Sequence, residues 1–158
     1  MKVVAAPDKF RGTGTAREVA AAIGRAATAA GADCVEIPMA DGGEGLLDVL
    51  GGPDRTTVVT GPLGAPVEAG WRLDRGTAVI EMARVAGLEL AGGADGNHPL
   101  DATTAGVGEL ILSAVESGAQ RIVIGMGGSA TTDGGLGALD AMGSPARYRG
   151  VELLVACD

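Results

Sequence analysis

Two hydrophobic rhythms alternate along the chain: short apolar runs broken by Pro or Gly, which read as strands, and apolar residues three and four apart, which read as helices. Lys2–Ala6 is an apolar run stopped by Pro7 and predicts a buried first strand. Thr15 followed by Glu18 forms a capping box that opens a helix over Ala16–Ala30, with Val19, Ile23, Ala26 and Ala27 as its apolar stripe and Gly31 as its stop. Asp33–Ile37 alternates as a second strand with one partly exposed face, and Leu46–Leu50 begins a helix. From Arg55 the texture turns to β: Arg55–Thr60, a turn at Gly61–Gly64, Pro66–Leu73, and Thr77–Met82 across an Asp74-Arg75-Gly76 turn, the last two as a hairpin. Trp71 is expected to pack on that hairpin.

The helical rhythm returns at Thr103–Ser117, where Val107, Leu110, Ile111, Ala114 and Val115 share a face and Gly118 ends the run. Its polar start, Thr103-Thr104-Ala105-Gly106, is a second candidate for an anion-facing helix terminus. Arg121–Ile124 is a strand, Leu136–Met142 a helix, Gly143–Gly150 a breaker-rich connection and Val151–Ala156 a final strand that runs into Cys157 and Asp158. Strands alternating with helices predict an α/β fold.

The stretch around which these elements are organised is Ile124–Gly135, a strand end, a Gly-rich turn and a helix start. Glycines leave backbone N–H groups approachable, and a helix start adds unpaired donors with partial positive charge, so the place suits phosphate. Asp41, before the helix at Leu46, reads on spacing alone as a helix cap; its alternative is to project into a cleft with Glu44.

Composition narrows the functional classes. The 158 residues suffice for a real core, but only 2% are aromatic, so Val, Ile, Leu and Ala must fill it. A net charge of −8 argues against a general nucleic-acid or membrane-surface binder while leaving room for a small anionic substrate met by local cations. Cys34 and Cys157 are expected to be buried free thiols, and His98, alone in the loop Ala91–Pro99, a solvated side chain. With no signal peptide or apolar span in sight, a cytoplasmic protein is expected.

In open α/β sheets ligands sit beyond the carboxyl ends of the strands. The loops there, 7–15, 38–45 and 125–134 together with Asp158, carry acids (Asp8, Asp41, Glu44, Asp133, Asp158), cations (Lys9, Arg11) and hydroxyls (Thr13, Ser129, Thr131, Thr132). Carboxylates for Mg²⁺, cations for phosphate oxygens and exposed N–H groups are what phosphoryl transfer requires, so the set suggests a kinase. A Walker-type P-loop is excluded by its missing pattern. Gly125-x-Gly127-x-x-Ala130 fits the looser dinucleotide fingerprint, which leaves a dinucleotide-dependent oxidoreductase as the second reading and a non-catalytic anion-binding module as the third.

Several stretches together resemble the type I glycerate kinase family: Ala6–Gly12, Pro38–Gly45, Thr60–Gly64, Val79–Ala83, Thr103–Leu110 and Ile124–Gly135, in the family's order. The resemblance implies an ATP- and Mg²⁺-dependent kinase acting on D-glycerate, usually at the 2-hydroxyl, with its site between a Rossmann-like lobe and a second mixed α/β lobe. Residues 1–60 are then expected to begin the first lobe and 61–158 the second. By motif, Asp8, Arg11 and Asp41 are expected in catalysis, with Asp8 or Asp41 as base or metal ligand and Arg11 on the substrate carboxylate or a phosphate. Lys9, Gly127, Gly128, Ser129, Thr131 and Asp133 are expected at the nucleotide, Gly42, Gly43 and Glu44 at the substrate, and Asp158 at the metal. Arg11 stands where the family often has Lys, and Thr132 where Asn is common. Family members are longer, with a longer segment at Gly143–Gly150 and more chain after Asp158. Both lobes are therefore expected to be incomplete here, and a homo-oligomer or a complementing chain is the expected partner besides D-glycerate.

Overall fold

The computed structural model describes residues 1–158. The elements in order are β1 (Lys2–Ala5), α1 (Ala16–Ala29), β2 (Asp33–Glu36), α2 (Leu46–Val49), β3 (Arg55–Thr60), β4 (Pro66–Asp74), β5 (Thr77–Glu81), α3 (Ala83–Ala86), α4 (Gly93–Gly96), α5 (Ala105–Glu116), β6 (Arg121–Gly125), α6 (Leu136–Met142) and β7 (Glu152–Ala156). A 3-10 turn at Pro145–Tyr148 occupies the connection before β7. The short helices α3 and α4 fall where the sequence has no full helical period to reveal them.

The strands form two sheets, as the α/β reading requires. β1 and β2 pair in parallel, Lys2 opposite Asp33 and Ala5 opposite Glu36. The other sheet runs in the order β3-β4-β5-β6-β7, antiparallel through β5 and parallel from β5 to β7. The β4–β5 hairpin turns through Arg75 (φ 47°) and Gly76 (φ 77°), with Asp74 opposite Thr77. Two consecutive positive φ values match the right-handed twist of the flanking strands, which is why Gly stands at the second position.

The main core lies between this sheet and α5. Ala78, Ile80, Leu110, Ala114 and Ile122 are fully covered, and Trp71 is buried with its indole N–H donating to Thr57 Oγ1 at 2.9 Å. The predicted face of α5 is the buried one, Val115 included as a partly covered member. Close approach replaces bulk where aromatics are scarce: a Cβ on Gly106 would lie 2.0 Å from Thr60 O, and one on Gly108 2.2 Å from Ala138 O. Those two glycines let α5 sit directly on β3 and α6.

Three expectations change near β1. The first strand is not buried: Val4 is 60% exposed, because only α1 covers the two-stranded sheet and its other face is open. The buried face of α1 is Ala16, Ala20 and Gly24, whereas Val19 is half-buried and Ile23 is exposed. The small residues allow the helix to lie close to β2, where a Cβ on Gly24 would overlap the Glu36 side chain. Cys157 lies just past β7 and is exposed, while Cys34 is half-buried; both are free thiols. β7 itself is an edge strand with Leu153, Leu154 and Val155 open to solvent on both faces. No helix is long and apolar enough to cross a membrane.

Candidate functional site

Three loops converge at the carboxyl ends of the strands. The first leaves β1: Asp8 Oδ1 accepts from the Lys9 N–H at 2.6 Å, and the chain then folds on itself so that Thr13 N and Gly14 N donate to Phe10 O. Thr15 closes the loop by capping α1, its hydroxyl accepting from Glu18 N while the Glu18 carboxylate accepts from Thr15 N. This geometry projects Lys9 inward. Its ammonium, 12% exposed, donates to Asp41 Oδ1 at 2.9 Å and lies 3.8 Å from Asp8 Oδ2.

Asp41 belongs to the second loop and does not cap α2, whose N-cap is Gly45 with φ 93° and no side-chain bond. Its Oδ1 accepts instead from Gly43 N at 2.8 Å as well as from Lys9. The Lys9 ammonium, followed by the Gly43 amide, holds the Asp41 carboxyl below its ordinary range and keeps it ionised. A cap was the expectation because Asp before a helix usually caps it; the pull of an ammonium from the first loop is invisible in local sequence.

Gly42 and Gly43 are buried where the second loop meets the third. Gly42 O accepts from Gly127 N at 3.1 Å, and Met126 N donates to Ala156 O at the end of β7. A Cβ on Gly42 would fall 2.3 Å from Ala156 O, one on Gly125 2.6 Å from Gly42 O, and one on Gly127 2.4 Å from Gly43 Cα. Backbone packs on backbone here, which only glycine permits. Glu44 is exposed beside Gly128: a Cβ there would lie 3.4 Å from Glu44 Oε1.

The third loop is stitched to the segment after α3, with Leu88 N donating to Gly128 O and Ala130 N to Ala86 O, both at 2.9 Å. Its hydroxyls bond within the protein: Ser129 Oγ accepts from Thr131 N and meets Thr131 Oγ1 at 2.8 Å, and Thr132 Oγ1 donates to Pro99 O. The loop opens no helix at Ala130; α6 starts at Leu136. The dinucleotide arrangement, in which a helix begins within the glycine fingerprint, is therefore not formed.

Asp133 acts as a knot. Its Oδ2 accepts from Thr104 N at 2.8 Å, Thr104 Oγ1 at 2.7 Å and Gly137 N at 3.2 Å, and its Oδ1 from Gly135 N at 3.0 Å. The buried Thr104 hydroxyl in turn accepts from Ala138 N. The polar start of α5, an expected anion-facing terminus, is thus already occupied by a carboxylate of the same chain. Burial raises the Asp133 pKa, but the bonds from Thr104, Gly135 and Gly137 outweigh it and leave the group below its ordinary value. A lowered folded pKa gives stability that is complete above about pH 4, the unfolded carboxyl's range, and is lost as pH falls through the lower folded value. Asp133→Asn is expected to cost about 2 kcal/mol at pH 6 and distinctly less at pH 3. Urea unfolding of both proteins at the two pH values measures this, and a pH-independent difference would contradict it.

A cavity of about 870 Å³ opens between the first loop with the start of α1, the residues around α2, and the β5–α3 junction. Of the residues singled out from sequence it is lined by Asp8, Lys9, Arg11, Thr13 and Glu44; Asp41 reaches it through Lys9, and Asp158, exposed past β7, lies outside it. No group of three or more His, Cys, Asp or Glu side chains is placed to hold a metal ion.

The opposite wall carries residues to which the sequence reading gave no role, although Glu81 lies in the Val79–Ala83 stretch of the resemblance. Glu81, 2% exposed at the end of β5, accepts from Leu47 N at 2.7 Å through Oε1 and from Arg84 Nε at 2.5 Å through Oε2. Arg84 Nη2 donates to Asp48 Oδ1 at 3.0 Å, and Arg17 Nη2, from α1, donates to Asp48 O at 3.1 Å. Besides that stretch, the local signal was an acid closing the apolar run Val79-Ile80-Glu81.

This is an α/β protein in which the first two strand-end loops, one lysine and three arginines line a cleft, while the third loop packs behind the second without lining it. The sequence profile of the Glycerate kinase family matches residues 3–153, and the chain belongs to that family. It is 49% identical over 151 residues to Glycerate kinase of Bacillus subtilis (90% of this chain, 39% of that protein) and 48% identical over 152 residues to Glycerate 2-kinase of Escherichia coli (91% and 40%). Among solved structures it is similar to a Salmonella typhimurium LT2 protein provisionally assigned as glycerate kinase 2, with a TM-score of 0.75 and 42% identity over 90% of this chain and 41% of that one. The chain thus spans about 40% of the length of these curated relatives.

Proposed function

We propose that this chain supplies the strand-end loops of an ATP-dependent kinase that phosphorylates D-glycerate at its 2-hydroxyl. Membership of the glycerate kinase family supports the reaction class, and the observation that carries the reading is the Lys9–Asp41 pair, which ties the first loop to the second beside the third. A half-buried ammonium between two carboxylates, at the mouth of a cavity also lined by Arg11, is suited to receive phosphate oxygens and then stabilise their growing charge.

The carboxylates divide by environment. Asp41, held ionised by Lys9, is a poor store for a proton and a good fixed charge; Asp8 is then the group that takes the proton from the glycerate 2-hydroxyl as the phosphoryl group arrives. Magnesium that travels with nucleotide phosphates needs only one or two protein carboxylates, and Asp41 Oδ2 accepts no hydrogen bond from the protein, so this fixed charge fits such an ion. Bound there, it would neutralise and orient the transferred phosphoryl group. Backbone N–H groups of the exposed Gly128 region, and Gly127, Ser129 and Thr131 as its scaffold, are the nucleotide side of the same proposal; Glu44 is the glycerate side, held by the packed backbone of Gly42 and Gly43. The separate two-stranded and five-stranded sheets support two lobes, with the second beginning at β3 (Arg55–Thr60) rather than after residue 60.

The test is incubation with Mg·ATP and D-glycerate, of the chain alone and with the remaining portion of the Escherichia coli relative supplied in trans, with the phosphoglycerate isomer identified. The expected product is 2-phosphoglycerate. Formation of the 3-isomer would overturn the position of transfer, and absence of either isomer from both folded preparations would overturn the reaction.

A further inference from the structure

Arg17 and Arg84 come from different elements, α1 and α3, and converge on one residue. Asp48 takes Arg84 Nη2 on its carboxylate at 3.0 Å and Arg17 Nη2 on its main-chain oxygen at 3.1 Å. Both arginines line the 870 Å³ cavity that also receives Lys9 and Arg11. Arg17 has no carboxylate partner at all, and Arg84 Nη1 donates to nothing in the protein. Asp48 and Glu81 balance the charge of the two guanidinium groups, so what the cluster offers the cavity is the unused fork donors of Arg17 and Arg84.

The orientation of Arg84 is built rather than incidental. Glu81 is almost completely buried, and its two oxygens are committed, one to Leu47 N and the other to Arg84 Nε. Glu81 therefore fixes the guanidinium plane against the start of α2 on one edge, while Asp48 fixes it on the next. A buried carboxylate that positions a partly exposed arginine removes much of the conformational freedom the side chain would otherwise lose on binding an anion. A merely structural ion pair would be satisfied by Glu81 and Arg84 alone; it would not require Arg17 to arrive from across the cavity.

We propose that Arg17 and Arg84, gathered by Asp48 and with Glu81 as positioning residue, form an anion subsite that takes a carboxylate or phosphate oxygen pair of the reactants. The inference deepens the glycerate kinase reading, since that reaction brings one carboxylate and one polyphosphate to the same cleft. Guanidinium is the group whose geometry matches both, because its paired N–H donors meet two oxygens at once.

The experiment follows the Hε–Nε resonances of Arg17 and Arg84 by NMR in the 158-residue chain during separate titrations with D-glycerate, ATP without metal, inorganic phosphate and uncharged glycerol. Saturable shifts of both resonances with at least one anion, and none with glycerol, are expected. Arg17→Gln and Arg84→Gln should each weaken that anion's affinity about tenfold. Arg84→Lys keeps the charge and is expected to lose most of the same affinity, because the ammonium lacks the fork; a fold check by circular dichroism accompanies each variant. A response to D-glycerate assigns the subsite to the substrate carboxylate, and a response to ATP or phosphate alone assigns it to phosphate. Absence of an anion response at both arginines, or affinities unchanged in well-folded variants, overturns the subsite even where phosphoglycerate is formed. A full anion response, with no transfer in either preparation of the Mg·ATP assay, leaves the subsite standing and removes the kinase reading.

Discussion

Replacing Lys9 by methionine is expected to lower phosphoryl transfer to D-glycerate about a hundred- to a thousandfold and to raise the Asp41 pKa toward the ordinary carboxyl range. The first effect follows from removing a pre-positioned cation where, in the proposed reaction, phosphate charge develops. The second follows because Lys9 is the largest of the influences that hold Asp41 low, ahead of the Gly43 amide. Methionine preserves the volume and reach of the aliphatic stem while deleting the charge, so packing against the first loop is retained. Single-turnover assays measure the transfer, and carboxyl carbon shifts of Asp41 followed against pH measure the titration. Unchanged transfer together with an unchanged Asp41 titration would remove the Lys9–Asp41 pair from the site. A raised Asp41 pKa with normal transfer would keep the pair as structure and take away its part in chemistry.

The second large effect belongs to Gly42→Ala. The position has φ 90°, and the new methyl would stand 2.3 Å from Ala156 O and 2.6 Å from Ala156 C. Left-handed backbone disfavours a Cβ by about 1–2 kcal/mol, and forcing the second loop off the end of β7 adds about 1–3 kcal/mol, so a loss of about 3 kcal/mol is expected. Gly12→Ala is the matched control. Its φ of 72° carries the same backbone penalty, but a Cβ there would meet nothing within 4 Å. Only about 1 kcal/mol is expected from it. Equal shifts in the urea midpoints of the two variants would show that the backbone contact between Gly42 and Ala156 contributes nothing.

Local sequence was a good guide wherever a local rule decides the outcome. The capping box at Thr15 and Glu18, the two-residue turn at Arg75-Gly76 and the apolar face of α5 all depend on neighbours within a few residues. It was a poor guide where a distant partner competes. Asp41 has the position of a helix cap but is drawn away by Lys9, 32 residues earlier. Asp133 resembles a ligand-facing acid in a Gly-rich loop, yet its oxygens bind the start of α5, 29 residues back. Val19 and Ile23 look like the stripe that should be buried, but close approach to β2 selects Ala16, Ala20 and Gly24 instead.

By itself, then, the sequence determined the α/β alternation, the hairpin and the strand-end loops to which the chemistry is assigned by proposal, because periodicity, capping and turn preference act over short stretches of chain. Its motifs also determined the family. Only the tertiary structure decided which of the acids and arginines share a cavity. Glu81, Asp48, Arg17 and Arg84 lie on separate elements, and no spacing rule predicts that they meet. It also decided that the glycines at 42, 125 and 127 serve backbone-to-backbone packing, since a missing Cβ acquires that meaning only when another chain segment occupies its place.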